Sequence, residues 1–203
     1  MKINNATFIT SVANSKNYYK TDKPIIAVAG KSNVGKSSLI NMLANQKKLA
    51  KTSVTPGRTR LINYFDFGSF VLADLPGYGY AKVSKEEKKK WGALLEDFLQ
   101  TQKIKLLFSL VDIRHEPTAD DKMMINYLYH YNIPFVLVAT KSDKLPKTKI
   151  KPRLQEISAS LRVGIGDVTA TSAQNGAGKQ DLLTLIEKAI NLKEDSCEEL
   201  EEE

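Results

Sequence analysis

The segment Gly30-Lys31-Ser32-Asn33-Val34-Gly35-Lys36-Ser37 is the most informative part of the sequence. It fits the pattern G-x-x-x-x-G-K-[ST], in which two glycines let the backbone wrap closely around a polyphosphate and aim N–H groups at it. Lys36 would carry its charge to the β- and γ-phosphate oxygens, and the Ser37 hydroxyl would ligate Mg²⁺. An apolar run at 25–29 predicts a buried strand before this loop, and 37–44 predicts a helix whose N-terminus faces the phosphates. We therefore predict a nucleotide-binding P-loop, with Ser38 continuing it.

Segments typical of strands alternate with segments typical of helices along the rest of the chain. This order predicts an α/β fold of three layers, the P-loop GTPase fold once the motifs below are included. Its sheet would be mostly parallel and six-stranded, with one antiparallel strand and helices on both faces. Ligands of such sheets bind beyond the carboxyl ends of the strands. The predicted strands are 25–29, 61–67, 70–74, 104–111, 133–139 and 168–171, and the predicted helices are 37–44, 84–102, 118–131, 147–161 and 178–192.

The charge of the chain is unevenly distributed. The formal net charge is +7, and residues 193–203 contribute −6 of it, so residues 1–192 carry +13. A body this basic favours a polyanionic partner such as nucleic acid, although a plain solubilising surface is the alternative. We expect one domain over 1–192 and a disordered acidic tail over 193–203, with the protein a monomer. The lone Cys197, the absence of an export signal and the absence of a long apolar run predict a cytoplasmic protein with no membrane span.

Thr140-Lys141-Ser142-Asp143 follows the predicted strand 133–139 and points to guanine. A carboxylate at Asp143 can accept from guanine N1–H and the 2-amino group together, whereas adenine offers neither donor. Lys141 can lay its aliphatic stem along the base. Ser172 and Ala173, after the next strand, would offer backbone N–H groups to guanine O6. A surface loop is the alternative for the four-residue string taken alone.

Asp74-Leu75-Pro76-Gly77 supplies the third element of the site. Asp74 ends a predicted strand and would hold Mg²⁺ through a water, and the Gly77 N–H would reach the γ-phosphate. Together with the other two motifs, this arrangement is typical of a switch GTPase, in which the γ-phosphate and Mg²⁺ order two loops that hydrolysis releases.

At this point the sequence closely resembles the EngB (YihA/YsxC) family of ribosome-biogenesis proteins, among the TrmE/Era-like translation-factor-class P-loop GTPases. The resemblance covers roughly 5–192. It implies a bacterial cytoplasmic GTPase that assists assembly of the large ribosomal subunit on rRNA and, through it, cell growth and division (septation). Thr140 narrows the family, because GTPases more often carry Asn there. The segments that carry the resemblance are Gly30 to Ser37 with Ser38-Leu39-Ile40-Asn41, Thr55-Pro56-Gly57-Arg58-Thr59, Asp74-Leu75-Pro76-Gly77-Tyr78-Gly79-Tyr80-Ala81-Lys82-Val83, Asp112-Ile113-Arg114-His115, Thr140-Lys141-Ser142-Asp143 and Thr171-Ser172-Ala173.

The resemblance also implies site roles. Thr59 would be the switch threonine that reaches Mg²⁺ and the γ-phosphate. It would then be a catalytic residue, together with Lys36 and Gly77. The residues that would lie beside it in the nucleotide site are Pro56, Gly57 and Arg58. Asn33 resembles the asparagine of GTPases that use K⁺ in place of an arginine finger; a purely structural role in the loop is the alternative. Arg58 and Arg60 would serve as fingers or as RNA contacts.

Two features leave alternatives open. Tyr78 stands where small signalling GTPases place a water-orienting Gln, so we predict slow intrinsic hydrolysis. Because of Tyr78, a second function stays possible: a regulatory module that binds guanine nucleotide without hydrolysing it and acts on a protein partner. A P-loop ATPase or small-molecule kinase is a third, weaker alternative. Lys85, Lys88, Lys89 and Lys90 would form either a solvated face or an rRNA contact.

Overall fold

A computed structural model describes residues 1, 3, 5–50, 61–79 and 85–192 of the chain, with the backbone alone for 85 and 87–90. From β2 onward, the strands and helices follow one another in the order expected. The strands are β1 Thr7–Val12, β2 Ile25–Gly30, β3 Ile62–Asp66, β4 Val71–Asp74, β5 Ile104–Asp112, β6 Phe135–Thr140 and β7 Val168–Ala170. The helices are α1 Lys36–Ala44, α2 Lys85–Thr101, α3 Ala119–His130, α4 Lys147–Leu161 and α5 Lys179–Asn191.

The strands form one sheet in the order β1-β3-β4-β2-β5-β6-β7. Strands β4, β2, β5, β6 and β7 pair in parallel, whereas β3 runs antiparallel to both β1 and β4. One strand therefore opposes all the others, as predicted. The carboxyl ends of β2, β4, β5 and β6 lie at the same end of the sheet, and the predicted motifs lie at this end.

Two apolar layers cover the sheet, because its buried strands alternate their side chains between the two faces. In β2, Ile25, Ala27 and Ala29 face one core and Ile26 and Val28 face the other. The first core includes buried side chains of α2, α3 and α4, and the second includes those of α1 and α5. This arrangement confirms the three-layer α/β class.

The sheet has seven strands in the described residues, so the predicted count of six was wrong. The missed strand, β1, lies at the edge of the sheet and pairs with β3. It carries threonine and serine side chains, and only Val12 is buried, so it lacks the apolar run that marks a central strand. Strand β6 begins at Phe135 rather than 133, directly after Pro134, which has no N–H to donate to a ladder.

Gly30, at the end of β2, allows the P-loop to pack closely on β5. A Cβ at this position would lie 2.9 Å from both Leu110 Cβ and Val34 Cγ1 and 3.1 Å from the Leu110 carbonyl oxygen. We expect Gly30→Ala to lower the free energy of unfolding by about 1–3 kcal/mol, because overpacked cores must shift backbone. Urea unfolding measures this change. Gly92→Ala is the matched control, since no atom of the described residues lies within 4 Å of a Cβ there. Equal effects of the two changes would contradict the packing argument.

Candidate nucleotide site

The P-loop connects β2 to α1 and places Lys36 at the first position of the helix. Gly35 caps α1 with φ +115°, in the left-handed region that glycine adopts without strain. The free N–H groups of the first helical turn make this point favourable for anions. The Lys36 ammonium lies 3.8 Å from Asp74 Oδ1, and both side chains are mostly buried, at 14% and 11% exposed. The loop and the end of β4 thus meet through a lysine and a carboxylate.

Asp74 is a buried carboxylate with an unsatisfied oxygen. It ends β4 opposite Val28 of β2, and among the described residues none donates a hydrogen bond to its Oδ1, while Asn63 Nδ2 donates to Oδ2 at 3.4 Å. Burial raises the pKa of Asp74, and the neighbouring Lys36 charge offsets part of that effect. A buried oxygen without a donor is suited to accept from a metal-bound water, which is the role that the sequence predicted for it.

Gly77 lies directly against the P-loop. A Cβ there would come within 3.1 Å of Ser32 Oγ and 3.3 Å of Lys36 Nζ. Leu75 N–H donates to the Val28 carbonyl, which fixes the start of the segment, and the Pro76 carbonyl accepts from Trp91 Nε1 of α2 at 3.0 Å. The structure therefore brings Gly77, Lys36 and Asp74 together, as the sequence predicted for one phosphate site.

Asp143 lies in a short 3₁₀ turn, Ser142–Lys144, just after β6. The Ser172 hydroxyl donates to its Oδ1 at 2.6 Å, and Lys144 Nζ lies 3.1 Å from Oδ2. The hydrogen bond from Ser172 is the main cause that lowers the pKa of Asp143, with Lys144 adding to it. The carboxylate is thus held ionised, in the acceptor state that guanine recognition requires.

The segment after β7 supports Asp143 more through Ser172 than through backbone amides. Thr171 accepts at its carbonyl from Ser142 N–H, so the two loops are joined. Ser172 N–H already donates to the Ala177 carbonyl at 3.0 Å. Of the two amides predicted to reach guanine O6, only that of Ala173 therefore remains as a candidate. The Ser172 side chain has a role that the sequence did not suggest.

Thr140 joins the phosphate loop to the base-recognition loop. Its Oγ1 lies 2.7 Å from the Val34 carbonyl oxygen and 3.1 Å from the Val111 carbonyl oxygen, and all three groups are buried. The hydroxyl donates one hydrogen, and the shorter distance assigns it to Val34. Thr140, predicted as part of the guanine-recognition motif, thus contributes to the site by fixing the P-loop backbone.

Lys141 is held by a carboxylate that the predicted site did not include. Lys141 Nζ lies 2.9 Å from Asp112 Oδ2 and donates to the Asn33 carbonyl at 2.8 Å. Asp112 also accepts both guanidinium hydrogen bonds of Arg114, at 2.9 and 2.7 Å. Burial alone would raise the pKa of Asp112, but the hydrogen bonds from Arg114 and Lys141 outweigh it and lower the pKa. The sequence did contain a signal, because Asp112 directly follows the predicted strand 104–111 and begins one of the segments that carry the resemblance.

We expect Asp112→Asn to weaken guanine-nucleotide binding about three- to tenfold, because the Lys141 stem loses the charge that positions it while the side-chain shape is kept. Titration with a fluorescent GDP measures the change. Arg114→Gln is the matched control, since it removes the other partner of Asp112 and leaves the contact with Lys141. If Arg114→Gln weakens binding as much as Asp112→Asn, the effect does not pass through Lys141.

Several predicted site residues lie outside the described residues. Thr59, Pro56, Gly57 and Arg58 do so, as do Arg60, the side chains of the lysines at 85 and 88–90, and the acidic tail. Ser37 and Ser38 lie in the first turn of α1, where they continue the loop as predicted. Three further residues around the site, Tyr78, Trp91 and Asp121, are connected by contacts described below.

The fold and the arrangement of these motifs define a P-loop GTPase. A family model described as 50S ribosome-binding GTPase matches residues 25–141. "Probable GTP-binding protein EngB" of Desulfosudis oleivorans is 44% identical over 96% of this chain and 100% of its own length. The protein of the same name from Clostridium kluyveri is 46% identical over 94% of this chain and 98% of its own. The chain belongs to the EngB family of GTP-binding proteins, which confirms the resemblance found in the sequence.

Solved structures agree on the fold. A crystal structure of a probable GTP-binding protein EngB has a TM-score of 0.68 at 24% identity and covers 82% of this chain and 98% of that one. A structure of Era, in complex with MgGDPNP and nucleotides 1506–1542 of 16S ribosomal RNA, has a TM-score of 0.64 at 23% identity over 84% of this chain and 58% of that one. In the part of this chain that the structure describes, no helix is both long and apolar enough to cross a bilayer.

Proposed function

We propose that this GTPase is a GTP-gated switch that assists assembly of the large ribosomal subunit in the cytoplasm. One observation carries the gating: Gly77 lies against Ser32 and Lys36, so the segment after β4 is placed to respond to a third phosphate. Residues 1–192 would act as a single G domain and as a monomer, with the tail over 193–203 disordered.

The ribosomal partner is supported by charge and by relatives. Residues 1–192 carry a formal charge of +13, which suits a phosphate-rich surface. The matching family model is described as a 50S ribosome-binding GTPase, which indicates the large subunit. We infer that rRNA of the large subunit is the polyanion this chain binds.

The nucleotide would be GTP or GDP, held by the P-loop at its phosphates and by Asp143 at its base. Mg²⁺ fits the phosphate end, because the buried Asp74 Oδ1 has no hydrogen-bond donor in the part of the chain that the structure describes. Ser37 and Thr59 would hold the ion directly and Asp74 would hold it through a water. Mg²⁺ would neutralise charge that develops on the phosphate oxygens. Lys36 would stabilise the same oxygens from the protein side, and the Gly77 amide would orient the γ-phosphate.

Hydrolysis by the isolated protein would be slow. The Tyr78 side chain is only 4% exposed and is packed away from the P-loop, so it offers no group to orient water. We propose that K⁺ near Asn33 assists instead. The Asn33 side chain is exposed and its residue adopts φ +63°, while its carbonyl accepts from Lys141. Turnover in KCl is expected to exceed that in NaCl, and equal rates would contradict the role of K⁺.

Co-sedimentation with large ribosomal subunits tests the function. The purified protein is compared in GDP and in a non-hydrolysable GTP analogue across a salt series. We expect more binding with the analogue and a steep loss with salt, because each neutralised phosphate releases counterions. Equal binding in both nucleotides would overturn GTP gating. If the protein does not bind the subunits with either nucleotide, the result favours the alternative function, a guanine-nucleotide-dependent regulator of a protein partner.

The same assay locates the RNA contact. Charge reversal at Lys85, Lys88, Lys89 and Lys90, at the start of α2, should flatten the salt dependence. Charge reversal at Lys147, Lys149 and Lys151 is the matched control, since these lysines are exposed on α4. Equal slopes for the two variants would contradict a contact at α2.

A further inference from the structure

The side chain of Tyr78 fastens the segment after β4 to helix α3. Its ring is buried and lies 5.6 Å from the Trp91 ring of α2, measured between centroids. Its hydroxyl donates to Asp121 Oδ1 at 2.9 Å, and this hydrogen bond is buried. A tyrosine that replaces a water-orienting residue is thus turned into the core rather than toward the phosphate site. This orientation gives it a structural partner 43 residues further along the chain.

Asp121 is itself rigidly held. It lies at the third position of α3, and its Oδ2 accepts from both the backbone N–H and the hydroxyl of Thr118, each at 2.7 Å. Thr118 Oγ1 in turn accepts from Asp121 N–H, which completes a capping box. Because one carboxylate oxygen is committed to the helix cap, the other presents a fixed acceptor to Tyr78. Asp121, which accepts the hydrogen bond from Tyr78, therefore has little freedom to move with the Tyr78 side chain.

The backbone of the same segment closes on the P-loop. Ser32 N–H donates to the Tyr78 carbonyl at 2.9 Å, and Tyr78 N–H donates to the Gly30 carbonyl at 3.4 Å, so that Lys31 and Tyr78 pair as a short parallel bridge. Trp91 Nε1 fixes the Pro76 carbonyl. Residues 76–78, which we call the closing segment, are thus attached to the P-loop, to α2 and to α3.

In the closed arrangement Gly77 lies tightly against the P-loop. Even a single Cβ on Gly77 would lie 3.1 Å from Ser32 Oγ and 3.3 Å from Lys36 Nζ. A γ-phosphoryl group that reaches Lys36 from the Gly77 side is larger than a methyl group, so we expect the closing segment to shift when one binds. A diphosphate lacks the γ-phosphoryl group, so its binding does not require this movement. The closed arrangement therefore favours GDP over GTP.

We propose that Asp121 is a positioning residue that acts through Tyr78 to set the relative affinity of the protein for GTP and GDP. The proposal rests on the proposed switch function. The Tyr78–Asp121 hydrogen bond stabilises the closed arrangement and is strained or broken when the closing segment moves. A ligand shifts a two-state equilibrium only by its differential affinity for the states, so weakening the closed state raises the apparent affinity for GTP selectively.

The affinity ratio in Tyr78→Phe tests the proposal. This change deletes the hydroxyl and leaves Asp121 Oδ1 buried without its donor. Dissociation constants for GDP and for a non-hydrolysable GTP analogue are measured by fluorescence titration. We expect the ratio to shift toward the GTP analogue about three- to tenfold. Asp121→Asn, which keeps the side-chain volume, is expected to shift the ratio in the same direction.

Tyr131→Phe is the matched control. Tyr131 also donates a hydroxyl hydrogen bond to a carboxylate, Glu96 Oε1 at 2.5 Å, but it lies at the other end of α3. We expect an unchanged ratio in this variant. A purely structural role for Tyr78 would weaken both nucleotides equally and leave the ratio unchanged, which would overturn the proposal. Wild-type protein that binds neither nucleotide would overturn the proposed function together with it.

Hydrogen exchange gives an independent measurement of closure. The Ser32 amide is protected in the closed arrangement by the Tyr78 carbonyl. In the GDP-bound protein, Tyr78→Phe should speed exchange of this amide, whereas Tyr131→Phe should leave it unchanged. An unchanged exchange rate in Tyr78→Phe would show that the hydroxyl does not hold the closing segment, and this result would overturn the proposal.

Discussion

Lys36→Ala is expected to weaken GTP binding by about two to three orders of magnitude and to abolish turnover, because it removes the charge that faces the β- and γ-phosphates. The loss also reaches Asp74. Within residues 5–50, 61–79 and 85–192, no group donates a hydrogen bond to its Oδ1, and the Lys36 ammonium lies 3.8 Å from that oxygen. Without that charge, the ionised form of Asp74 becomes less favourable in its buried position.

Lys31→Ala is the matched control for this prediction. Lys31 belongs to the same loop and carries the same charge, but its side chain packs along Gly79. Titration of both variants with a fluorescent GTP analogue should separate them, with Lys31→Ala close to the wild type. Losses of equal size would mean that the loop contributes only general positive charge.

Asp143→Asn is expected to lower GTP affinity about a hundredfold or more and to raise affinity for xanthosine triphosphate. The ionised carboxylate accepts from two guanine donors, whereas an asparagine side chain places an N–H donor against one of them. Xanthine carries an oxygen in place of the 2-amino group, so it accepts from that donor. Competition between the two triphosphates for the variant measures the exchange of specificity.

Lys144→Ala provides the comparison for Asp143. Lys144 Nζ lies 3.1 Å from Asp143 Oδ2, but its side chain is half exposed. Because an exposed ion pair contributes at most about 1 kcal/mol, this change should alter GTP affinity less than about fivefold. If the Asp143→Asn variant still prefers guanine nucleotides, Asp143 does not recognise the base.

The sequence predicted those parts of the fold that depend on local patterns. All five helices were located within one residue at each end, because caps and apolar periodicity act over a single turn. Strand β1 was missed because its edge position leaves it half exposed and polar. The P-loop, Gly77 and Asp143 were predicted as site residues because each follows a buried strand at a recognisable spacing, and Asp74 because it ends one.

Contacts between distant segments were beyond the sequence. Thr140 contacts the carbonyl of Val34, 106 residues earlier, and a backbone acceptor leaves no trace in the sequence. Asp121 appears locally as an ordinary first-turn acid of α3, so nothing in the sequence connects it to Tyr78. Asp112 could have been included, since it ends a strand beside Thr140, but its choice of Lys141 as partner depends on side-chain packing.

The Thr140 hydroxyl has a consequence for how a nucleotide enters the site. Through it, one carbonyl of the phosphate loop is fixed to the strand that leads to the base loop. The spacing between the phosphate cradle and the base acceptor is therefore set before any ligand arrives. A nucleotide whose base and phosphates match this spacing meets a preorganised frame, so little of its binding energy is lost in ordering these two loops. Adjustment on binding is left to the segment that follows β4.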